Sequence, residues 1–182
     1  MRIISGKFRN RQILTPKGLE VRPSADRLRE SLFNICQNFI ESSRFLDLYA
    51  GSGAIGIEAL SRGAIPTFVD LQKESISCIK KNLDSLGVSF DYKVMQMDAM
   101  QALKFFERNG VDFDIIFIDP PYSKGNYEDL LCYIAESSVL KNSGHVFLET
   151  ASEAHFNIPA FFILNSTRRI GRASLYHLSH SG

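Results

Sequence analysis

Residues 45–56 read Phe45-Leu46-Asp47-Leu48-Tyr49-Ala50-Gly51-Ser52-Gly53-Ala54-Ile55-Gly56, and they decide the fold. A short apolar strand runs into a glycine-rich turn, and a helical stretch over residues 54–61 follows directly. The glycines let the backbone turn sharply and come close to a bound ligand. A strand, a glycine loop and a helix in this order are typical of the first unit of a parallel sheet that binds a ligand at the loop.

The rest of the chain continues the alternation of strands and helices. We predict strands at residues 66–70, 92–97, 113–119 and 145–149, helices at 73–86, 99–108 and 127–136, and an earlier helix that Ser24 can cap and that runs to about Ile40. Two β-rich runs, 161–169 and 173–178, are separated by Gly171 without a helix, which predicts an antiparallel pair at the edge of the sheet. The pattern predicts an α/β domain over residues 22–182 with a Rossmann-like, seven-stranded, mostly parallel sheet.

Four aspartates occupy equivalent positions at the ends of four predicted strands. Asp47, Asp70, Asp98 and Asp119 each fall at the carboxyl end of a predicted strand. Because ligands of open α/β sheets bind outside these ends, we expect the four side chains to face one ligand site.

The glycine loop matches G-x-G-x-x-G, with Asp70 seventeen positions after Gly53, so a dinucleotide such as NAD is one interpretation. Asp47 argues against it, because a carboxylate close to the loop would repel a pyrophosphate but can bind a cationic amino group. S-adenosylmethionine carries such an amino group and a sulfonium, and it has no phosphate. We therefore predict S-adenosylmethionine as the cofactor and S-adenosylhomocysteine as its product. A tight turn that binds no ligand is the structural alternative.

The remaining cofactor contacts are predicted from the strand ends. A carboxylate at Asp70 can accept hydrogen bonds from both ribose hydroxyls, and one at Asp98 can accept from the adenine amino group, with the N–H of Ala99 beside it. Asp98 is also in position to cap the helix that follows it. The other predicted contacts lie next to these carboxylates, and they are Tyr49, Gly51, Gly53 and Leu71.

Asp119-Pro120-Pro121-Tyr122 is the predicted reaction motif. The exocyclic amine of a base is a poor nucleophile because its lone pair is delocalised into the ring. The Asp119 carboxylate and the Pro120 carbonyl can both accept hydrogen bonds from that amine, which concentrates its lone pair. The prolines stiffen the loop, and Tyr122 can stack on the base, with Pro121 as a further substrate contact. A simple Pro-Pro turn would explain the prolines but not the flanking Asp119 and Tyr122.

The first 29 residues form a basic segment on a chain whose net charge is only +1. Eight basic residues are opposed there only by Glu20 and Asp26. Such a segment is a candidate contact surface for RNA phosphates; a solvated charged edge is the alternative. We predict a small β-hairpin or extended arm at residues 1–21. The predicted RNA contacts are Arg2, Lys7, Arg9, Arg11 and Arg27.

With these motifs in place, the chain resembles the bacterial 16S ribosomal RNA guanine-N2 methyltransferases over nearly its whole length. The blocks that carry the resemblance are residues 2–7 (Arg-Ile-Ile-Ser-Gly-Lys), 22–33 (Arg-Pro-Ser-Ala-Asp-Arg-Leu-Arg-Glu-Ser-Leu-Phe), 46–53, 58–63 and 119–122. The resemblance implies the fold of S-adenosylmethionine-dependent methyltransferases with a small N-terminal β-hairpin, and 16S rRNA in a small-subunit assembly intermediate as substrate. It also implies that Arg22, Ser24 and Arg27 lie beside the methionine end of the cofactor or the substrate phosphates. Asp70 stands where many relatives have Glu, and its shorter side chain can still reach a ribose.

Several alternatives stay open at this level. The same reaction motif serves N6-adenine methylation of DNA or RNA, and a non-catalytic RNA-binding assembly factor could keep the same cofactor pocket. The four histidines have no metal-ligand spacing, so no metal is predicted. The absence of a leader-like apolar segment and of long apolar runs predicts a cytoplasmic protein without membrane contact, and a monomer is the default.

Overall fold

The computed structural model describes residues 1–15, 23–89, 91–121 and 127–180, without the side chains of residues 23 and 24. Its elements, in chain order, are α1 (Pro23–Cys36), β1 (Arg44–Leu48), α2 (Ala54–Ser61), β2 (Ile65–Asp70), α3 (Lys73–Ser85), β3 (Lys93–Gln96), α4 (Ala99–Arg108), β4 (Phe113–Ile118), α5 (Tyr127–Glu136), β5 (Leu140–Ala151), β6 (Phe162–Ile170) and β7 (Ala173–His180). Among the described residues, no helix is both long enough and apolar enough to cross a membrane.

The seven strands form one sheet in the order β3-β2-β1-β4-β5-β7-β6. Strands β1 to β5 pair in parallel, whereas β7 is antiparallel to both β5 and β6. The prediction of a mostly parallel sheet with an antiparallel pair at its edge is therefore confirmed. The strand order reverses between β1 and β4, and that switch point is where open α/β sheets bind ligands.

Helices cover both faces of the sheet, so the central strands are apolar on both sides. Helices α4 and α5 pack on one face through Leu103, Phe106 and Leu131, which are buried. Helix α1 packs on the other face, where Leu32 and Phe33 contribute to a second buried cluster. The arrangement leaves the carboxyl ends of β1, β2, β3 and β4 as an edge between the two helical layers.

Three element boundaries differ clearly from the prediction. Helix α1 begins at Pro23, so Ser24 lies inside the first turn rather than capping it; proline suits the first helical position because its missing N–H would have no partner there. The same helix ends at Cys36 instead of near Ile40, although Ile40 is still buried. Strand β5 begins at Leu140, because Leu140 pairs with Phe113 ahead of a register shift.

The described part of the N-terminal arm, residues 1–15, folds back on itself. A single antiparallel bridge joins Arg2 to Gln12, and the N–H of Ile3 donates to Arg11 O at 3.0 Å. Ile3 and Ile13 are buried against the apolar cluster that contains Ile57 and Ile79 of α2 and α3. The arm is thus closed by one bridge and packed on two helices; its predicted boundary at residue 21 lies outside the described residues.

Candidate active site

The four predicted carboxylates meet at the carboxyl edge of the sheet, as parallel strands require. Asp47 is the penultimate residue of β1 and Asp70 the last of β2. Asp98 directly precedes α4, and Asp119 directly follows β4. We call this set of residues, together with the glycine loop over residues 49–53, the carboxyl edge.

The glycine loop has an unusual backbone. Tyr49, Gly51 and Gly53 have φ angles of 62°, 56° and 78°, all in the left-handed region. A bulky residue such as Tyr49 rarely adopts this conformation, and such strain clusters at functional sites. Gly56 is required for a different reason: a Cβ there would lie 2.3 Å from the ring of Phe68, so α2 can approach the sheet only without a side chain at that position.

Asp47 is a buried carboxyl group beneath the loop. It is only 1% exposed, and its Oδ2 accepts a hydrogen bond from the N–H of Gly56 at 2.9 Å. Burial raises the pKa of Asp47 to about 8; the Gly56 hydrogen bond opposes the shift, and the nearby charges of Asp119 and Asp70 add to it. A cationic ligand would favour the ionised form and reverse this shift. The electrostatics of the edge therefore suit a positively charged group.

Asp70 fixes the loop from the second strand. Its Oδ2 accepts from the N–H of Gly51 and its Oδ1 from the N–H of Gln72, both at 2.8 Å. Each carboxylate oxygen has a further lone pair, so two hydroxyl groups of a ligand can still donate to it. Leu71 next to it is 57% exposed, an apolar surface at the mouth of the site.

Asp98 caps α4. Its Oδ1 accepts from the N–H groups of Met100 and Gln101, whereas Oδ2 takes no part in the cap. Ala99, the first residue of the helix, is buried. Burial raises the pKa of Tyr49, and the charge of Asp98 adds to the shift, which places these two predicted contacts close together.

The reaction motif continues from β4. Asp119 is half-buried, Pro120 is buried and Pro121 is exposed, while Tyr122 lies outside the described residues. Burial raises the pKa of Tyr127, at the start of α5, and the charge of Asp119 raises it further. Asp119 is therefore close enough to act electrostatically on both Asp47 and Tyr127.

A cavity of about 440 Å³ opens beyond Tyr127. The ring of Phe156 packs against Tyr127 on one side, with 5.7 Å between centroids, and edge-on against Tyr176 at 5.0 Å on the other. Glu128 holds the loop after β5 in place, because its Oε1 accepts from the N–H of Asn157 at 2.6 Å. The cavity is lined by aromatic, carboxylate and amide groups, which can contact a nucleotide base by stacking and by hydrogen bonds.

The predicted RNA contacts in the described arm are exposed. Arg2 and Arg11 reach backbone carbonyls, since Arg2 Nη1 donates to Asn10 O at 3.0 Å and Arg11 Nη2 to Ser85 O at 2.7 Å. The other exposed cations are Lys7, Arg9 and, on α1, Arg27. Arg22 and the side chain of Ser24 lie outside what the structure describes.

Two buried polar side chains of the site were missed by the sequence interpretation. Asn82 of α3 is 1% exposed and donates from Nδ2 to the carbonyl of Ser52 in the glycine loop at 3.0 Å. Glu58 of α2 is fully buried, and its carboxylate accepts hydrogen bonds from the N–H groups of Ile4 and Ser5 in the arm. The only signal available was a polar residue within an apolar helical stripe. Within the described residues, no cluster of three or more metal-ligating side chains is present.

Comparison with known proteins agrees with this geometry. A family model described as "Conserved hypothetical protein 95" matches residues 1–179. The ribosomal RNA small subunit methyltransferase D of Haemophilus influenzae is 34% identical over 96% of this chain and 91% of its own length, and that of Escherichia coli K12 is 31% identical over 96% and 87%. The chain belongs to the ribosomal RNA small subunit methyltransferase D family.

Solved structures agree with the methyltransferase D family assignment. The Escherichia coli protein yhhF has a TM-score of 0.85 and 30% identity, over 99% of this chain and 97% of that one. An S-adenosylmethionine-dependent methyltransferase from Agrobacterium tumefaciens shares the fold at 19% identity, with a TM-score of 0.67 over 89% of this chain and 63% of its own. The predicted fold class is confirmed.

Proposed function

We propose that this chain transfers a methyl group from S-adenosylmethionine to the exocyclic N2 amino group of a guanine in 16S rRNA during small-subunit assembly. The observation that carries the proposal is the buried Asp47 beneath a strained glycine loop, within electrostatic reach of Asp119. Membership of the methyltransferase D family supports the choice of ribosomal RNA.

The residues at the carboxyl edge fit this cofactor. Asp47 and the loop are suited to its amino group, Asp70 to the ribose hydroxyls, and Asp98 Oδ2 to the adenine amino group, with Leu71 and Tyr49 as apolar neighbours. A pyrophosphate would meet the same carboxylates as like charges, which disfavours NAD. When bound, S-adenosylmethionine supplies a methyl group on a sulfonium and leaves as S-adenosylhomocysteine.

The reaction motif is proposed to hold the acceptor. Asp119 and the Pro120 carbonyl accept hydrogen bonds from the guanine amine, so its lone pair points toward the methyl group. As the new C–N bond forms and the methyl–sulfur bond breaks, the amine gives up one of its two protons to Asp119 or to water. Most of the rate enhancement comes from this alignment, an effect that can reach about 7–11 kcal/mol. Tyr122 and the cavity beside Tyr127 receive the base, which has to leave its stack to reach the edge.

The arm is proposed to hold the RNA backbone. Lys7, Arg9, Arg11 and Arg27 are exposed cations that suit phosphate contacts, and these contacts would make binding salt-dependent. We propose that the chain acts in the cytoplasm as a monomer.

The experiment is mass mapping of 16S rRNA from cells with and without the protein. We expect one N2-methylguanine to be lost and then restored when the protein is supplied. An unchanged modification pattern contradicts the proposal. Loss of an N6-methyladenine would show that the acceptor base is adenine and not guanine. Incubation of the purified protein with labelled cofactor and undermodified RNA, followed by nucleoside analysis, tests the same point in vitro.

A further inference from the structure

Asn82 joins the N-terminal arm to the glycine loop. Its Oδ1 accepts from the N–H of Leu14 at 2.8 Å, and its Nδ2 donates to Leu14 O and to Ser52 O, both at 3.0 Å. Cys78, one turn earlier on α3, also reaches Leu14 O from Sγ at 3.4 Å. A single buried amide therefore binds the backbone of two segments that are far apart in the sequence.

The arm is held on the body of the protein by further buried groups. The carboxylate of Glu58 accepts from the N–H groups of Ile4 and Ser5 at 2.7 and 2.9 Å. The Ser61 hydroxyl donates to Ser5 O at 2.6 Å and accepts from the N–H of Phe8 at 2.9 Å. These bonds fix the backbone of the arm and leave its basic side chains exposed.

Gly6 lies directly against the end of α2. It has a φ of 80°, and a Cβ built there would lie 1.8 Å from the Ser61 carbonyl oxygen. No side chain can be accommodated at this position unless the arm moves away, so a substitution at Gly6 displaces the arm from outside the cofactor site.

We propose that Asn82 is a positioning residue that couples docking of the arm to the conformation of the glycine loop, so that RNA on the arm and cofactor in the loop bind cooperatively. This inference rests on the proposed function and deepens it. The loop is strained at Tyr49, so its conformation depends on outside support, and Asn82 supplies that support at Ser52.

The direction of the coupling follows from the hydrogen bonds. The backbone of Leu14 binds the amide from both sides and fixes its orientation toward Ser52. When the arm is displaced, the amide loses both of these partners and its hold on the loop loosens. Because coupling between two sites is reciprocal, a ligand that stabilises the loop also stabilises the docked arm.

The first experiment measures the affinity of S-adenosylhomocysteine by calorimetry, which needs no turnover. We expect Asn82→Ala to bind it about 5-fold or more weakly, the lower end of typical coupling between sites. Ser85→Ala is the matched control, because it removes an exposed hydroxyl on the same helix that donates to Asn82 O and keeps the Ser85 carbonyl that accepts from Arg11, so the affinity should stay unchanged. Circular dichroism shows whether each variant is folded.

A second variant, Gly6→Ala, tests the same coupling even if Asn82→Ala does not fold. Gly6→Ala leaves Asn82 intact, yet it should weaken S-adenosylhomocysteine binding and accelerate hydrogen exchange at residues 50–56. Combined with Asn82→Ala, it should add little, because both act through one contact. Independent, additive effects, or a Gly6→Ala protein with wild-type affinity and exchange, would overturn the proposal.

The third measurement adds RNA. A saturating small-subunit rRNA fragment should tighten S-adenosylhomocysteine binding in the wild type, and this gain should disappear in Asn82→Ala. An equal gain in both proteins overturns the role of Asn82 while leaving the proposed function intact. A wild-type protein that binds S-adenosylhomocysteine in neither condition overturns the proposed function itself.

Discussion

The carboxyl edge and the histidine region both bury a titratable group beside strained backbone, but their surroundings differ. The histidine region consists of the His145–His177 pair and the connection over residues 37–43, in which Phe39 stacks on His145. There the two rings satisfy each other with a hydrogen bond of 3.0 Å. At the carboxyl edge, Asp47 is instead crowded by the charges of Asp119 and Asp70. A hydrogen-bonded pair of histidines stabilises the fold without a ligand, whereas several carboxylates close together suit a cationic ligand.

The largest expected effect comes from Asp119, which the proposal places at the reacting amine. Asp119→Asn should lower kcat by about 100-fold or more, the range seen when one preorganised polar group is removed from an active site. The affinity for S-adenosylhomocysteine should change far less. Asp112→Asn is the control, because this carboxylate lies at the opposite end of β4 in a surface ion pair with Arg44. An Asp119→Asn enzyme with more than a tenth of wild-type activity would refute the assigned role.

We expect the buried carboxyl group of Asp47 to lower the free energy of unfolding of the cofactor-free protein. Because its pKa is about 8 when folded and near 3.8 when unfolded, the folded chain binds more protons between these values. The free energy of unfolding therefore falls as the pH rises, by about 1.4 kcal/mol per unit at most. Asp47→Asn should therefore stabilise the cofactor-free protein by about 2 kcal/mol more at pH 8 than at pH 6, and it should weaken the binding of S-adenosylhomocysteine.

Denaturant titrations at pH 6 and pH 8 measure this effect. The difference in stability between Asp47→Asn and the wild type should be larger at pH 8. If the difference is the same at both values, Asp47 does not carry a raised pKa, and the contrast with the histidine region disappears.

Local sequence patterns predict the fold and most of the carboxyl edge. Apolar strands followed by Asp47, Asp70 and Asp119 are sufficient, because parallel strands bring their ends together whatever the strand order. The start of β5 was not predictable in this way. Polar Lys141 interrupts the apolar pattern, and its place in a strand follows from contacts with β4: the pairing of Leu140 with Phe113 and the ion pair of Lys141 with Asp114 at 2.7 Å.

Asn82 marks the limit of reasoning from sequence. Its partners, Leu14 and Ser52, lie 68 and 30 positions away, and no local pattern encodes such contacts. An asparagine on an amphipathic helix is normally a solvated residue. It becomes a buried link only because the arm folds over α3, which depends on the packing of Ile3 and Ile13.

The histidine region should show the opposite dependence on pH. The pKa of His177 is lowered to about 4, mainly by burial and in smaller part by the nearby charges of His145 and Arg168. Its contribution to stability is therefore present above about pH 6.5 and is lost as the pH falls, by about 2 kcal/mol between pH 7 and pH 5. Denaturant titrations in an Asp47→Asn background isolate this slope from the opposing one.

Substitution of His177 tests the assignment of that slope. His177→Gln should flatten it, since the amide can still hydrogen bond to His145 but does not titrate. His155→Gln, which removes an exposed histidine, should leave it unchanged. A slope that persists in His177→Gln would show that another group titrates; His145, whose pKa burial also lowers, would then be tested by His145→Gln.

The smallest expected effect comes from replacing the strained residue of each region, Ser42 or Tyr49, by glycine. Ser42 has a φ of 60° in the histidine region and is exposed, and Tyr49 has a φ of 62° at the carboxyl edge. Ser42→Gly should raise the free energy of unfolding by about 0.5 kcal/mol, because relief of left-handed strain slightly exceeds the entropy that glycine loses on folding. Tyr49→Gly relieves similar strain but removes a ring that packs against the core near Asp98. It should therefore weaken S-adenosylhomocysteine binding, whereas Ser42→Gly should not; equal affinities in the two variants would mean that the strain at Tyr49 serves only the fold.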